Sequence, residues 1–151
     1  EAFCPQSVSI LLDDEIDISR GDVICGTINP PTVGSEHVAN LCWMSEQPLV
    51  PGRKYWIKHH SHTTRAVIKD IKFKVDIQTI RNVPAEGPFG LNEIGRVTFK
   101  TLKPLVYDNY RKNRLMGSFI LIDETNNATV GAGMLLSSTP DAIQADEDFA
   151  I

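Results

Sequence analysis

The stretch that most constrains the fold is residues 115–136, LMGSFILIDETNNATVGAGMLL. Residues 119–122 form an apolar, β-branched-rich run. Residues 128–136 form a second run that carries Gly131 and Gly133. Between them lies the turn-forming cluster Asp123-Glu-Thr-Asn-Asn127. Two strand-like runs around such a cluster read as a β-hairpin, and Asn126 and Asn127 take a positive φ at low cost. Gly131 and Gly133 alternate with Ala132 and Met134. Small residues at every second position leave one strand face bare, so bulky side chains or another backbone approach closely. Such a hairpin suits the closing element of a small barrel.

The rest of the chain supplies strands to close with. Residues 37–44 carry Val38, Leu41 and Trp43. In 53–59, Tyr55 and Ile57 alternate with Lys54, Trp56 and Lys58. Residues 63–75 alternate over a longer span through Ala66, Ile68, Ile71, Phe73 and Val75, with lysines 69, 72 and 74 facing largely away. Residues 96–102 alternate Val97 and Phe99 with Thr98 and Lys100, and Pro104 is expected to end that strand. Loops are expected at 48–52 and 77–90, the latter with a short strand at 78–81. A turn is expected at 91–95 and one helical turn within 107–113. No window keeps a 3.6-residue period. Six or seven strands at this spacing predict an all-β antiparallel barrel of Greek-key type.

The first 28 residues read differently. Residues 6–12 and 23–25 read as short strands around an acidic run, Asp13, Asp14, Glu15 and Asp17, and a turn at Gly21. Two strands bury no face on their own. Residues 1–28 are therefore expected to be the tail of a second barrel, and 29–35, with Pro30-Pro31, a stiff linker. The barrel domain is expected at 36–136 and a flexible acidic tail at 137–151.

Four stretches resemble one family in its order. Asp14-Glu-Ile-Asp-Ile-Ser-Arg-Gly-Asp-Val23 is similar to the end of the second domain of the bacterial sulfate adenylyltransferase large subunit. Leu41-Cys-Trp-Met-Ser-Glu-Gln-Pro-Leu49 and the residues to Tyr55 resemble the first strand and loop of its third domain. Leu91-Asn-Glu-Ile-Gly95 and the closing hairpin match further along that domain. That subunit is a GTPase related to elongation factor Tu. The resemblance implies an elongation-factor-type barrel fold. It implies a parent protein in sulfate activation, where a small catalytic subunit joins ATP and sulfate and the large subunit hydrolyses GTP. It further implies that GTP and magnesium bind in an N-terminal domain, and that this portion is a scaffold holding that domain and the small subunit.

The residues themselves limit the chemistry. GxxxxGK[ST] and the guanine-reading N-K-x-D are absent from all 151 residues, so no GTP site is expected here. The acidic run lacks the D-x-[DN]-x-[DN]-G calcium pattern, and no serine has the G-x-S-x-G context of a nucleophile. No catalytic, cofactor-binding or metal residue is therefore assigned. Arg20-Gly-Asp22, an integrin-motif tripeptide, reads more simply as a turn. His59-His60-Ser61-His62 reads either as a solvated hairpin tip or, with His60 and His62 on one strand face, as part of a metal site.

Arg53, Lys54, Lys58, Arg65, Lys69, Lys72 and Lys74 stand against one acid, Asp70. That stretch reads as ordinary solvated faces, as a docking surface for an acidic partner, or as an RNA-contacting face of a translation-factor module. The net charge of −4 weakens the nucleic-acid reading. A free-standing ligand-binding barrel is a third class. Three cysteines without CxxC spacing fit a reducing, cytoplasmic compartment, and no apolar run of about 18 residues suggests a membrane span.

Overall fold

In a computed structural model of the chain, which describes residues 1–3 and 5–136, seven strands and one helical turn follow each other in sequence. They are β1 (Thr32–Trp43), β2 (Lys54–His59), β3 (His62–Asp76), β4 (Arg81–Pro84), β5 (Ile94–Tyr107), α1 (Arg114–Gly117), β6 (Ser118–Ile122) and β7 (Thr129–Leu135). Every pairing is antiparallel. The ladder runs β2–β6–β7–β1–β5–β3 and returns from β3 to β2, which closes a six-stranded barrel, with β4 added outside β3. Closure removes the unpaired edges that an open sheet would expose.

The closing hairpin forms as expected. Phe119 pairs with Gly133 and Leu121 with Gly131. In the turn, the Thr125 amide donates to Asp123 Oδ1 at 2.7 Å and the Ala128 amide to Asn126 Oδ1 at 2.9 Å. Only Asn127 of the two asparagines takes positive φ, at 58°. The bare face of β7 is filled. A Cβ on Gly133 would collide with the Phe119 ring, and one on Gly131 would press within 3.2 Å of the Cys42 carbonyl and of Leu41. Phe119 in turn packs on Phe99 with ring centroids 5.2 Å apart. Glycine thus lets a large ring occupy the barrel axis.

The core follows strand parity. Ala39, Leu41 and Trp43 from β1, Tyr55 and Ile57 from β2, Ala66 and Ile68 from β3, and Val97 and Phe99 from β5 are buried. Each such aliphatic or aromatic side chain contributes about 1.5–3 kcal/mol on burial. Val38, grouped with Leu41 and Trp43 in the sequence reading, lies on the outer face, and His37 takes its place inside.

Several expectations change. Residues 6–12 and 23–25 form no strand, because every barrel edge is already paired and nothing within the described residues offers them a ladder. The linker reading of 29–35 yields to β1 from Thr32 onward, with Thr32 opposite Tyr107 and Gly34 opposite Leu105. Pro104 does not end β5. The β1–β5 register jumps from Gly34↔Leu105 to Glu36↔Lys100, and the β3 pairing extends only to Thr101, so Pro104 sits where no ladder bond is required of it.

The short strand expected at 78–81 is instead a turn leading into β4. Asp76 accepts from the Gln78 amide and the Thr79 hydroxyl, and Ile80 turns the chain at φ 53°. Within the 107–113 span expected to hold one helical turn, the Lys112 and Asn113 amides both donate to the Asn109 carbonyl, at 2.9 and 3.0 Å, and α1 follows, where the Asn113 side chain accepts from the Met116 amide. Tyr107 belongs to β5. The tail expected at 137–151 lies outside the described residues.

Candidate docking surfaces and the histidine end of the barrel

The basic stretch is broken up by folding. Arg53 donates to Asp123 at 2.6 Å, and Asp123 is held below the usual carboxylate range by the Thr125 amide and then by Arg53. Arg65 pairs with Glu124 at 2.9 Å and stacks over Trp56. Lys72 pairs with Asp70 at 2.8 Å in the open.

Lys74 is half-buried and tied to the loop that follows β4. Its side chain is 15% exposed and donates to Glu93 at 2.7 Å and to the Pro88 carbonyl at 2.8 Å, while its ammonium sits 5.8 Å from the Phe89 ring centre. That hydrogen bond holds Glu93 below its ordinary pKa. Nineteen residues separate Lys74 from Glu93, and no local sequence signal links them.

What remains outward is a different set. The cross-strand row Lys54↔Val67↔Lys100↔Glu36 runs over β2, β3, β5 and β1, with Lys69 beside it and Lys100 in an exposed pair with Glu36 at 3.5 Å. Lys54, Arg65, Val67, Lys69, Lys100 and Leu102 line a concavity of about 430 Å³, in which Leu102 is 74% exposed. An apolar centre rimmed by cations is suited to an acidic surface that presents an apolar side chain. Lys100 lies outside the stretch picked out in the sequence and was missed there.

The histidine cluster divides. His60 is at the tip of the β2–β3 hairpin with φ 55° and is exposed, as the solvated reading expected. His59 is not solvated: it is 2% exposed, with Nδ1 2.9 Å from the Ser118 carbonyl and Nε2 3.1 Å from the Val106 carbonyl. His62, opposite His59 in the ladder, is half-buried against residue Gly21. Among the described residues, no group of three His, Cys, Asp or Glu side chains is placed to hold a metal ion.

A second histidine shares this end of the barrel. His37, 3% exposed, has Nε2 3.2 Å from Thr101 Oγ1 and packs between Phe99 and Tyr107. Burial, followed by the nearby His59, pushes its pKa down to about 4. Both histidines carry a signal that the sequence already contained. His59 continues the inward parity of Tyr55 and Ile57, and His37 that of Ala39 and Leu41.

The one helix among the described residues is a single turn in which the Met116 amide donates to the Asn113 side chain, and no glycine-rich strand-to-helix turn precedes it. No helix among them is long and apolar enough to cross a membrane.

Comparison with known proteins agrees with this fold. Residues 36–136 match the family model described as GTP-eEF1A C-terminal domain-like. Over 137 residues the chain is 45% identical to a "Bifunctional enzyme CysN/CysC" of Mycobacterium tuberculosis, covering 90% of this chain and 22% of that protein. Over 135 residues it is 43% identical to "Sulfate adenylyltransferase subunit 1" of Alteromonas mediterranea, covering 89% of this chain and 28% of that protein. The chain thus spans about a quarter of the length of these relatives. These are the relatives that the four sequence motifs implied. Among solved structures, sup35 complexed with GDP superimposes with a TM-score of 0.62 at 17% identity, over 74% of this chain and 27% of that one, a likeness of fold. The chain belongs to the GTP-eEF1A C-terminal domain-like family.

Proposed function

We propose that this chain is the barrel portion of a sulfate adenylyltransferase large subunit and serves there as a non-catalytic scaffold. The observation that carries the reading is the 45% identity over 90% of the chain to a relative of the kind the four motifs implied. In this reading the parent protein acts in sulfate activation in the cytoplasm. The reaction joins ATP and sulfate into adenylyl sulfate and pyrophosphate on a small subunit. GTP hydrolysis, with magnesium, occurs in a separate domain of the large subunit. The barrel contributes rigidity: six strands closed on themselves around the packed rings of Phe99 and Phe119 hold their outer faces in fixed relation.

The outward row of Lys54, Lys69 and Lys100 around Leu102 is the surface this reading assigns to docking the small subunit or the GTPase domain. Charges at such a rim act mainly on association rate, and salt screens them over about 8–10 Å. In a full-length large subunit, the triple variant Lys54→Glu, Lys69→Glu, Lys100→Glu is expected to keep its melting temperature. It is also expected to keep its intrinsic GTPase rate. It should bind the small subunit more slowly, with a flatter dependence of rate on ionic strength. Superimposable salt profiles for wild type and variant would remove this face from the docking role.

A further inference from the structure

The N-terminal segment and the β2–β3 hairpin tip enclose a cleft of about 580 Å³, to which β5 adds a third wall. A turn builds the first wall. The Ser19 amide donates to Asp22 Oδ2 at 2.8 Å, the Asp22 amide donates to the Ser19 carbonyl at 3.1 Å, and Gly21 closes the turn at φ 109°. Arg20 Nε donates to the Ser61 carbonyl at 3.4 Å, which sets the guanidinium against the hairpin tip. The bare Gly21 lets the tip come close, since a Cβ there would stand 2.7 Å from His62 Nδ1. On β5, the ladder with β3 ends at Thr101, and the Lys103 amide donates to Thr64 Oγ1 at 3.2 Å.

The cleft collects groups that the fold leaves unused. Among the described residues, neither Arg20 nor Lys103 has a carboxylate partner, and both are exposed. Asp22, the one carboxylate lining the cleft, is committed to the Ser19 amide. His62 lines the cleft as well, and its Nε2 is buried with no hydrogen-bond partner among the described residues. A polar atom in that state costs free energy until a partner reaches it. The apolar side is equally uncovered. Val23 is 38% exposed and Ile24 63%, and both share the space with Pro104 and Met116. The volume falls within the roughly 300–1,000 Å³ of small-molecule sites, and free cations beside uncovered apolar surface suit an amphipathic anion.

We propose that this cleft binds a small organic phosphate monoester, with Arg20 and Lys103 on the phosphate and the apolar wall against the organic body. Two permanent cations match a dianion. Arg20 Nε is the atom turned to Ser61, so the two terminal nitrogens remain to donate to phosphate oxygens, and the Lys103 ammonium adds a point charge. The organic body lies against Val23, Ile24, Pro104 and Met116. A bare phosphate ion uses only the first set of contacts and a bare apolar ring only the second. Arginine and lysine stay protonated through neutral and weakly basic pH, so binding does not wait on the protonation of any histidine. The ligand joins residues 20–24 to β5 across the hairpin tip. Lys54, Lys69, Lys100 and Leu102 do not line this cleft, so it is separate from the docking face.

The test is amide NMR of the nitrogen-labelled 151-residue chain, titrated with phenyl phosphate at constant ionic strength. At about pH 8 a phosphate monoester is a dianion and an ordinary imidazole is neutral. Saturable shifts of the Gly21, Ser61 and His62 amides are expected. Inorganic phosphate and phenol should each bind there roughly tenfold more weakly or worse, since each lacks half of the contacts. Arg20→Gln and Lys103→Gln should each weaken phenyl phosphate binding roughly five- to tenfold. Lys72→Gln removes an exposed cation outside the cleft and should bind as wild type does. The absence of saturable shifts at these amides below about 10 mM would overturn the proposal. Equal affinity for phenol and phenyl phosphate, or unchanged affinity in both cleft variants, would do the same. So would a loss in Lys72→Gln as large as theirs, the mark of non-specific charge attraction. The comparison of the three probes on the wild-type chain needs no variant and decides alone where a variant does not fold.

Discussion

Residues 6–12 and 53–59 carry comparable alternation, Val8, Ile10 and Leu12 in the first and Tyr55, Ile57 and His59 in the second. Their fates are opposite. Tyr55 and Ile57 are fully buried with ladders on both sides of β2, while Val8, Ile10 and Leu12 lie exposed without a strand partner. Alternation therefore specifies which face of a strand would be buried. Whether a strand exists depends on a neighbouring backbone that the local sequence does not describe.

The largest expected contrast tests that difference directly. Leu121 is fully buried on β6, whereas Leu11 is 96% exposed. Leu121→Ala should cost about 2–5 kcal/mol through lost burial and the cavity it leaves. Leu11→Ala should stay within about 0.5 kcal/mol. Thermal unfolding of the two variants beside wild type reads the difference, at roughly 4–8 °C per kcal/mol for a domain of this size. Equal shifts would mean that residues 1–31 fold as one unit with the barrel.

The same contrast explains what was legible in the sequence. The hairpin at 115–136, the inward residues of β2, and the long alternation of β3 were readable because their signals are local: turn formers, parity and small residues at every second position. The bounds of β1 and β5 were not. Thr32–Gly34 joins β1 only because residues 105–107 lie opposite, and Pro104 survives inside β5 only because the register slips there. The candidate site was less legible still. Lys74 looked like its neighbours in sequence, and only the return of the chain at Glu93 makes it a half-buried tie. His59 and His37 were visible by parity, yet a histidine on an apolar face gives no hint of which carbonyls it will meet.

A second contrast pairs glycines. A Cβ at Gly133 meets the Phe119 ring, whereas one at Gly26 meets nothing within 4 Å. Gly133→Val should therefore cost about 1–3 kcal/mol or more by overpacking, and Gly26→Val should leave the midpoint of denaturant unfolding in place. Gly131→Val should fall between them, since its neighbours at 3.2–3.3 Å require smaller shifts. If Gly133→Val were neutral, Phe119 would have to rotate away from the barrel axis at little cost, contrary to its packing on Phe99.

The smallest contrast is between two lysines that sit two residues apart on β3. Lys72 and Asp70 are both more than half exposed, so their 2.8 Å contact is screened and worth little. Lys74 is 15% exposed and bonds a carboxylate and a carbonyl from the loop that returns at Phe89 and Glu93. Glu93 is itself 41% exposed, which discounts the pair well below a fully buried one. Lys74→Ala should then cost about 1–2 kcal/mol, because Pro88 and Glu93 lose their charged donor. Lys72→Ala should cost under about 0.5 kcal/mol. High salt should erase the Lys72 effect and leave most of the Lys74 effect, since the latter rests on short hydrogen bonds shielded by the Phe89 ring. A double-mutant cycle of Lys74→Ala with Glu93→Ala measures the coupling itself. A coupling near zero would place Lys74 back among the ordinary surface cations, and the local charge pattern of the sequence would then have been the better guide.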